Sequence, residues 1–495
     1  MPRKRIRRRR PAAPPARPVP EAPEDKGPEP RERRPRQAIV VIHGIGEQRP
    51  LGTIRGFVAA LTDGVFRSKP DRLSESFELR RLVLSETKTL PPTDVYELYW
   101  AHHMQAAQWS AAARWMSRLI LRRPSKVPAG LRSLHAAMWV VILGALGALV
   151  WSALDAVGEG GGGLSDFATS ATTYVPVAAV VAQWLTGRFV LGYMGDAARY
   201  LTPDPENIEA RTAIRAEGVS LLRRLHESKL YFRVVVVGHS LGSVIGYDVL
   251  RHLWDEYRMP DFAAPRPQPE AAKFEQAIEA VTQPAPDVSR AEAVDRFQQA
   301  QHRLWREHRG VGTPWLVTDF VTLGSPLAHA ELLLEDPHIS LERRKQEREL
   351  PTCPPTSGDE PAHYGENRVT FEDGRRRKWH YRIPNHGAVF SGTRWTNLYF
   401  PHSRLLLGDV IGGPLAGVFG VGIRDVAVRP SHAGWLARTL ASHVYYWQRD
   451  ADTPAEPKAA RKERDKLTGT KDAVTALRSA LLLEAWRSKD HWPRP

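Results

Sequence analysis

Residues 234–250 read VVVVGHSLGSVIGYDVL, and this stretch decides the fold class. Four consecutive valines predict a strand that is buried on both faces, as in parallel sheets, and the apolar residues after the bend predict a helix. Between them, Ser240 stands in the pattern G-x-S-x-G, where Gly238 and Gly242 allow a tight turn. A strand, a tight bend and a helix present a serine hydroxyl to a substrate, so we expect Ser240 to be strained and exposed above the sheet.

A serine that attacks a carbonyl group needs two donors for the negative oxygen that develops. The backbone N–H of Leu241, at the start of the predicted helix, is the first. The second is expected in a turn after an early strand, and HGIGEQ at residues 43–48 follows the strand-like AIVVI. We assign it to the N–H of Ile45. The residues expected to support the bend and the early turn are His43, Gly44, Gly46, Gly238, His239 and Gly242.

Further motifs accompany these two turns along the chain, namely VYELYWA, GDAARYL, FVTLGSP, WTNLYFPHSRLLLGDVIGGPL and SHVYYW. With them the sequence resembles bacterial α/β-hydrolase-like proteins with an HGIGEQ motif, which are related to lipases and esterases. Some members carry membrane spans between the first strands and the serine. The resemblance extends from about Ile39 to Trp447.

The resemblance implies the two partners that a serine nucleophile requires, an acid and a histidine base in the chain order Ser, Asp, His. The acid maps onto Asp409 in GDVIGGPL, although Val410 stands where the lipase pattern has proline and FPHSR replaces a common acidic stretch. The base maps onto His443 in LASHVYYW, with His432 in RPSHAGW as its rival. Asp425 and Asp319 are competing acids, and each lies in a predicted strand.

The predicted fold is α/β, an α/β-hydrolase fold with a mostly parallel sheet flanked by helices, an inserted transmembrane helical hairpin and polar insertions. Further strands are expected at Trp315–Leu323, Arg394–Tyr399 and Gly422–Val428, and a helix of peripheral role at Asp472–Arg487. The predicted organisation is a disordered basic tail at 1–36, the first part of the hydrolase domain at 37–110, an insertion at 111–195, the rest of the domain at 196–450 with insertions at about 251–310 and 331–377, and a charged extension at 451–495.

Two uncharged segments, 133–154 and 167–187, predict the hairpin. Arginines and lysines flank the pair on its outer sides, whereas the connector DAVGEGGGGLSD has none, so the positive-inside rule places both flanks in the cytoplasm. We therefore expect a protein of the bacterial inner membrane with its catalytic domain on the cytoplasmic side. The alternative is two buried helices of a soluble cap.

The net charge of +15 invites a nucleic-acid interpretation, but much of the positive charge lies in the Arg- and Pro-rich start of the chain. No secretory signal is expected there, because no apolar segment follows the arginines. The single cysteine, Cys353, excludes a disulfide framework within the chain. We expect no nucleic acid, no cofactor and no metal, since no ligand spacing such as H-E-x-x-H occurs.

The sequence thus predicts a membrane-associated serine hydrolase that cleaves carboxylic esters through an acyl-enzyme, with acyl lipids as the substrates that a membrane position would supply. The alternative is a non-catalytic, membrane-tethered scaffold or binding protein on the same fold.

Overall fold

The four valines of the quoted strand lie in the middle of a large sheet, and the predicted α/β class is confirmed. Its strands, in the part of the chain that the structure describes, are β1 (Arg36–Ile42), β2 (Arg67–Pro70), β3 (Arg80–Leu84), β4 (Thr93–Leu98), β5 (Tyr231–His239), β6 (Val317–Leu323), β9 (Arg394–Tyr399), β10 (Arg424–Arg429) and β11 (Lys471–Asp472). They lie in the order β11-β10-β9-β6-β5-β1-β4-β3-β2. Neighbours from β11 to β4 are parallel, and β3 pairs antiparallel with both β4 and β2.

The structure is a computed structural model, and the residues it describes cover most of the sheet and its helices. They are 36–62 without 45–49, 66–104 without 72, 74–77 and 86–90, scattered positions within 117–154, 200–201, 205–334 without 262–266, 338–448 without 357–364, 373–377, 403–407 and 432–439, and 463–481 without 464 and 467. The predicted tail therefore lies outside the described residues except for Arg36, which begins β1.

Strand β5 is buried on both faces, which explains why its sequence does not alternate between apolar and polar residues. Val234 and Val236 pack into the core on one side of the sheet, and Val235 and Val237 pack into the core on the other. All four are at most 1 % exposed. Burial of each such side chain contributes about 1.5–3 kcal/mol relative to an exposed position.

Helices cover both faces of the sheet. In the described chain they are α1 (Gly52–Thr62), α2 (Pro205–Glu227), α3 (Leu241–Tyr257), α4 (Pro269–Thr282), α5 (Arg290–Gly310), α6 (Ala330–Leu333), α7 (Leu341–Gln346), α8 (Ala416–Phe419) and α9 (Ala473–Ala480). Apolar residues of α2, α3, α4 and α5 share one core cluster, whereas those of α1 and α9 belong to the cluster on the opposite face.

The predicted insertions differ in how they relate to this core. In the first, α3 continues to Tyr257, and α4 and α5 then form a pair in which the rings of Phe274 and Phe297 stack at 5.6 Å. Both rings are fully buried in the core cluster that α2 and α3 share, so this predicted polar insertion is part of the core. The second overlaps α6 and contains α7 and β7 (Gly365–Glu372), which forms a separate antiparallel pair with β8 (Lys378–Pro384) just beyond it.

The C-terminal helix also has a larger role than we expected. Lys471 and Asp472 add a short parallel strand at the edge of the sheet, and Asp472 caps α9 by accepting a hydrogen bond from the N–H of Thr475 at 2.9 Å. Leu477 of α9 is fully buried in the core beside α1. The helix is therefore part of the folded unit, because its apolar residues share a core cluster with those of α1 and the sheet.

The predicted membrane-spanning hairpin is not seen in the described residues. Among them, no helix is both long enough and apolar enough to cross a membrane. The segment 133–154 is described only in part, and 167–187 lies outside the described residues.

Candidate active site

The bend between β5 and α3 holds Ser240 in a conformation that L-residues rarely adopt. Its φ is 52° and its ψ is −127°, so a residue with a Cβ occupies the region that favours glycine. Such a conformation costs about 1–3 kcal/mol and persists only when surrounding contacts enforce it. One of them is the hydrogen bond from the N–H of Ser240 to the carbonyl of Leu323, at 2.9 Å.

The two glycines of the motif are required by close backbone packing. A Cβ added to Gly242 would lie 2.2 Å from the carbonyl oxygen of Ile42, and one added to Gly238 would lie 2.5 Å from Cα of Ser243. Both distances are far below van der Waals contact. The first turn of α3 therefore packs directly on the end of β1, and Leu241, the first helical residue, has an N–H that precedes the intrahelical ladder.

The turn after β1 passes beside the serine. A Cβ placed on Gly44 would lie 2.8 Å from Cβ of Ser240 and 2.9 Å from Nδ1 of His239. Ile45 and Gly46 lie outside the described residues, so the predicted second oxyanion donor has no described position. Gly44, the last described residue before this gap, packs directly against Ser240.

His43 has the structural surroundings that we expected of it. Its Nδ1 donates to the carbonyl of Gly44 at 2.8 Å, its carbonyl accepts from the indole N–H of Trp100 at 2.9 Å, and its ring stacks on Trp100 at 5.0 Å. Burial lowers the pKa of His43 to about 4. A neutral, doubly tethered ring fixes the end of β1 and is not placed to exchange protons with a substrate.

Asp409 and His443 are in direct contact, although 34 positions separate them. Nδ1 of His443 lies 2.8 Å from Oδ2 of Asp409, and the two side chains are 1 % and 0 % exposed. The hydroxyl of Tyr446 donates to the same oxygen at 2.9 Å, and the N–H of Ile411 donates to Oδ1 at 2.9 Å. Three donors, two of them from the segment that carries His443, thus converge on one buried carboxylate.

This hydrogen-bonding pattern sets the charge of Asp409 and the tautomer of His443. Burial alone would raise the pKa of Asp409, but the charge and hydrogen bond of His443 and the N–H groups of Gly412 and Ile411 lower that pKa to about 2. Burial and the charge of Asp409 hold the pKa of Tyr446 well above its usual range, so the phenol stays a donor. Because Nδ1 of His443 donates to an ionised carboxylate, Nε2 is the basic nitrogen of the neutral ring.

The strand end of β6 connects the serine to the histidine. Leu323 accepts the hydrogen bond from Ser240, and the next residue is Gly324, whose φ is +57°. A Cβ on Gly324 would lie 2.8 Å from Oδ2 of Asp409 and 3.0 Å from Cε1 of His443. Ser240, Asp409 and His443 therefore meet around one peptide unit, at the carboxyl end of the parallel strands.

His239 holds the backbone of the histidine segment against the bend. Its Nε2 donates to the carbonyl of His443 at 2.8 Å, and the two imidazole centroids are 5.0 Å apart. Burial, together with the neighbouring His443 ring, lowers the pKa of His239 to about 3. The residue before the serine is thus a neutral tether to the segment that supplies the base.

Ser240 is 1 % exposed, and this differs from the exposed serine that we predicted. The bend does raise it above the strand, but the turn after β1 and the segments carrying Asp409 and His443 surround it.

The two competing acids, Asp319 and Asp425, have partners elsewhere in the fold. Asp319 lies in β6 and pairs with Arg233 at 3.1 Å, and Asp425 in β10 accepts from the N–H of Ala416 at 2.8 Å, so both have structural partners. The rival base, His432, lies outside the described residues.

Sequence reasoning missed Tyr446 as a partner of the acid, although SHVYYW contains it. It also missed Gly324 in FVTLGSP.

Comparison of the chain with protein-family models, with curated proteins and with solved structures gave no match.

Proposed function

We propose that this protein is a serine hydrolase with an α/β-hydrolase fold, which cleaves carboxylic esters through a Ser240–His443–Asp409 triad. The observation that carries the proposal is the convergence of Ser240 and the Asp409–His443 pair around Gly324. A strained serine at the end of a strand, a histidine with its basic nitrogen fixed and a buried carboxylate have complementary roles in acyl transfer.

The reaction follows from the properties of these groups. Oγ of Ser240 attacks the ester carbonyl while Nε2 of His443 takes its proton, and Asp409 stabilises the imidazolium. The N–H of Leu241, with that of Ile45, binds the tetrahedral oxyanion; each such donor lowers the barrier by about 3–4 kcal/mol. The C–O bond to the alcohol then breaks, and the alcohol leaves with the proton from His443. Water attacks the acyl-enzyme in the reverse sequence and releases the carboxylic acid.

An ester panel tests this activity. The purified full chain is assayed on esters whose acyl chains range from short to long, beside Ser240→Ala. We expect hydrolysis by the native chain and a loss of at least about 10⁴-fold in kcat for the variant. Ser228→Ala is the matched control, because Ser228 follows α2 and its hydroxyl donates to the carbonyl of Leu225 at 2.9 Å. Turnover by Ser240→Ala equal to that of the control would refute the proposal, and a folded native chain that hydrolyses no ester would favour the non-catalytic scaffold.

We also propose that the protein is associated with the inner membrane and that its substrates include acyl lipids. Support comes from a row of apolar side chains that are 53–70 % exposed in the partly described segment, namely Val140, Leu143, Leu146, Val150 and Leu154. Exposed apolar surface of this kind favours an apolar partner such as a lipid layer.

Membrane fractionation tests this association. Aspartate at Val140, Leu143 and Val150 is expected to shift the protein from the alkali-resistant membrane fraction to the supernatant, since a charge within a span costs about 2.5–3.5 kcal/mol. Met259→Asp is the control, because Met259 is 42 % exposed outside this segment. Fractionation of the triple variant like the native chain would contradict the association.

A further inference from the structure

Two adjacent histidines and a glutamate converge at the sheet edge that carries Ser240. His102 and His103 lie in one 3₁₀ turn, Ala101–His103, shortly after β4, and Glu217 lies in α2. Because β4 is parallel to β1 and β1 is parallel to β5, this turn leaves the sheet on the same side as the bend at Ser240.

Both imidazoles direct Nε2 toward one carboxylate oxygen. Nε2 of His103 lies 3.0 Å from Oε2 of Glu217, and Nε2 of His102 lies 3.9 Å from the same atom. The centroids of the two rings are 3.9 Å apart, and the ring planes are tilted by 39°. A His–Glu ion pair explains the contact of His103. It does not explain why His102 points at the same oxygen from a distance too long for a hydrogen bond.

A shared metal ion accounts for the whole arrangement. Zn²⁺ binds imidazole nitrogen at about 2.0–2.1 Å and carboxylate oxygen at about 2.0–2.2 Å, so tetrahedral ligand atoms lie about 3.3 Å apart. The two observed separations, 3.0 and 3.9 Å, bracket this value, and one ligand atom from each residue lies within 4.8 Å of the others. A shift of roughly half an ångström by His102 would bring its Nε2 to this distance from Oε2 of Glu217. Its side chain is 47 % exposed and has room to make it.

We infer that His102, His103 and Glu217 form a binding site for a divalent transition-metal ion of the Zn²⁺ class, with the fourth position open to water. Two nitrogen ligands and one carboxylate suit Zn²⁺ and Co²⁺ better than Mg²⁺ or Ca²⁺, which prefer sets of oxygen atoms. The site does not depend on the hydrolase proposal. Spacing motifs do not detect it, because the histidines are adjacent and the glutamate lies 114 positions beyond His103.

The surroundings connect the site to the end of β1. The ring of Tyr99 stacks on His102 at 5.7 Å and lies 5.4 Å from the ring of His43. A metal bound here therefore fixes the turn that packs behind His43, and so the end of β1.

Cobalt titration tests the site. The full chain, freed of any purification tag and of metal by EDTA, is titrated with Co²⁺ and then with Zn²⁺. We expect one Co²⁺ per chain, visible d–d absorption of the intensity typical of four-coordinate cobalt, and loss of that absorption when Zn²⁺ displaces it. His102→Asn and Glu217→Gln should each weaken Co²⁺ binding at least about tenfold, since even residues behind the ligands contribute that much.

His338→Asn is the matched control, because His338 is an exposed histidine remote in sequence from all three ligands. It should bind Co²⁺ like the native chain. Unfolding midpoints measured in EDTA should be the same for all variants, which separates loss of a ligand from loss of the fold. The inference is overturned if the native chain takes up no stoichiometric Co²⁺, or if His102→Asn and Glu217→Gln bind it as tightly as His338→Asn.

Discussion

Replacement of Asp409 by asparagine changes one atom of the proposed triad and keeps its shape. Oδ2 of Asp409 accepts from Nδ1 of His443 and from the hydroxyl of Tyr446, and Oδ1 accepts from the N–H of Ile411. An asparagine that turns its NH₂ toward His443 opposes two donors and forces the ring proton to Nε2. An asparagine that turns its NH₂ the other way opposes the N–H of Ile411 instead.

The expected loss follows from the first orientation. A histidine with its proton on Nε2 cannot take the proton of Ser240, and an exchanged tautomer of this kind lowers kcat by about 10⁴-fold, or roughly 5 kcal/mol of barrier. Tyr446→Phe is the graded comparison, because it removes one hydrogen bond, worth about 0.5–1.5 kcal/mol, and leaves the tautomer intact. We expect its kcat to fall only about tenfold.

The assay is kcat and KM for a chromogenic ester, measured on both variants at matched folded concentration. KM should change little, because neither side chain is expected to touch the bound ester. The reasoning is wrong if folded Asp409→Asn keeps kcat within about tenfold of the native value, or if Tyr446→Phe loses as much activity as Asp409→Asn.

Three further substitutions test the packing around the site. Gly324→Ala would place a Cβ 2.8 Å from Oδ2 of Asp409 on a residue whose φ is +57°. Chemical denaturation should therefore show that the free energy of unfolding falls by more than about 2 kcal/mol. The control is Gly417→Ala, whose added Cβ meets nothing within 4 Å and should lower the free energy of unfolding by less than half as much. Gly44→Ala places a methyl 2.8 Å from Cβ of Ser240 and should lower kcat for the ester at least about tenfold; unchanged kcat would contradict the described approach of this turn. Burial raises the pKa of Glu97 from 4.5 to about 7. The protonated carboxyl therefore stabilises the folded state fully below about pH 4.5, and this stabilisation, about 3 kcal/mol, is lost as the pH rises through 7. Glu97→Gln should remove that part of the pH dependence of the unfolding free energy between pH 5 and 9, and an unchanged pH dependence would refute the assignment.

Local signals in the sequence predicted the centre of the fold well. Strand, bend and helix are adjacent in the chain, as the valine run, the G-x-S-x-G motif and the apolar residues after it. The steric requirements of the bend therefore fall on residues close together in sequence, where they are visible as a motif. The strand Arg394–Tyr399 has the predicted bounds for the same reason. The contact of Asp409 with His443 spans 34 positions, and only the resemblance to hydrolase-like proteins pointed to both residues.

Features that tertiary packing creates could not be predicted from local sequence patterns. The burial of Ser240 results from segments that are far apart in sequence. The strand Lys471–Asp472 is two residues long and has no pattern of its own, because its pairing with β10 alone defines it. From the sequence, Asp472 and Leu477 are expected in a charged, peripheral helix. Their roles, as the cap of α9 and as a buried residue of the core beside α1, depend on tertiary contacts.

The most direct measurement is covalent trapping of the serine. The purified full chain is treated with a fluorophosphonate, which reacts with activated serines, and the modified peptide is identified by mass spectrometry. We expect one adduct, on Ser240, that is abolished in His443→Ala and strongly reduced in Asp409→Asn. A folded native chain that shows no adduct on Ser240, or one that labels equally well without His443, would contradict the claim that these two side chains act as one catalytic unit.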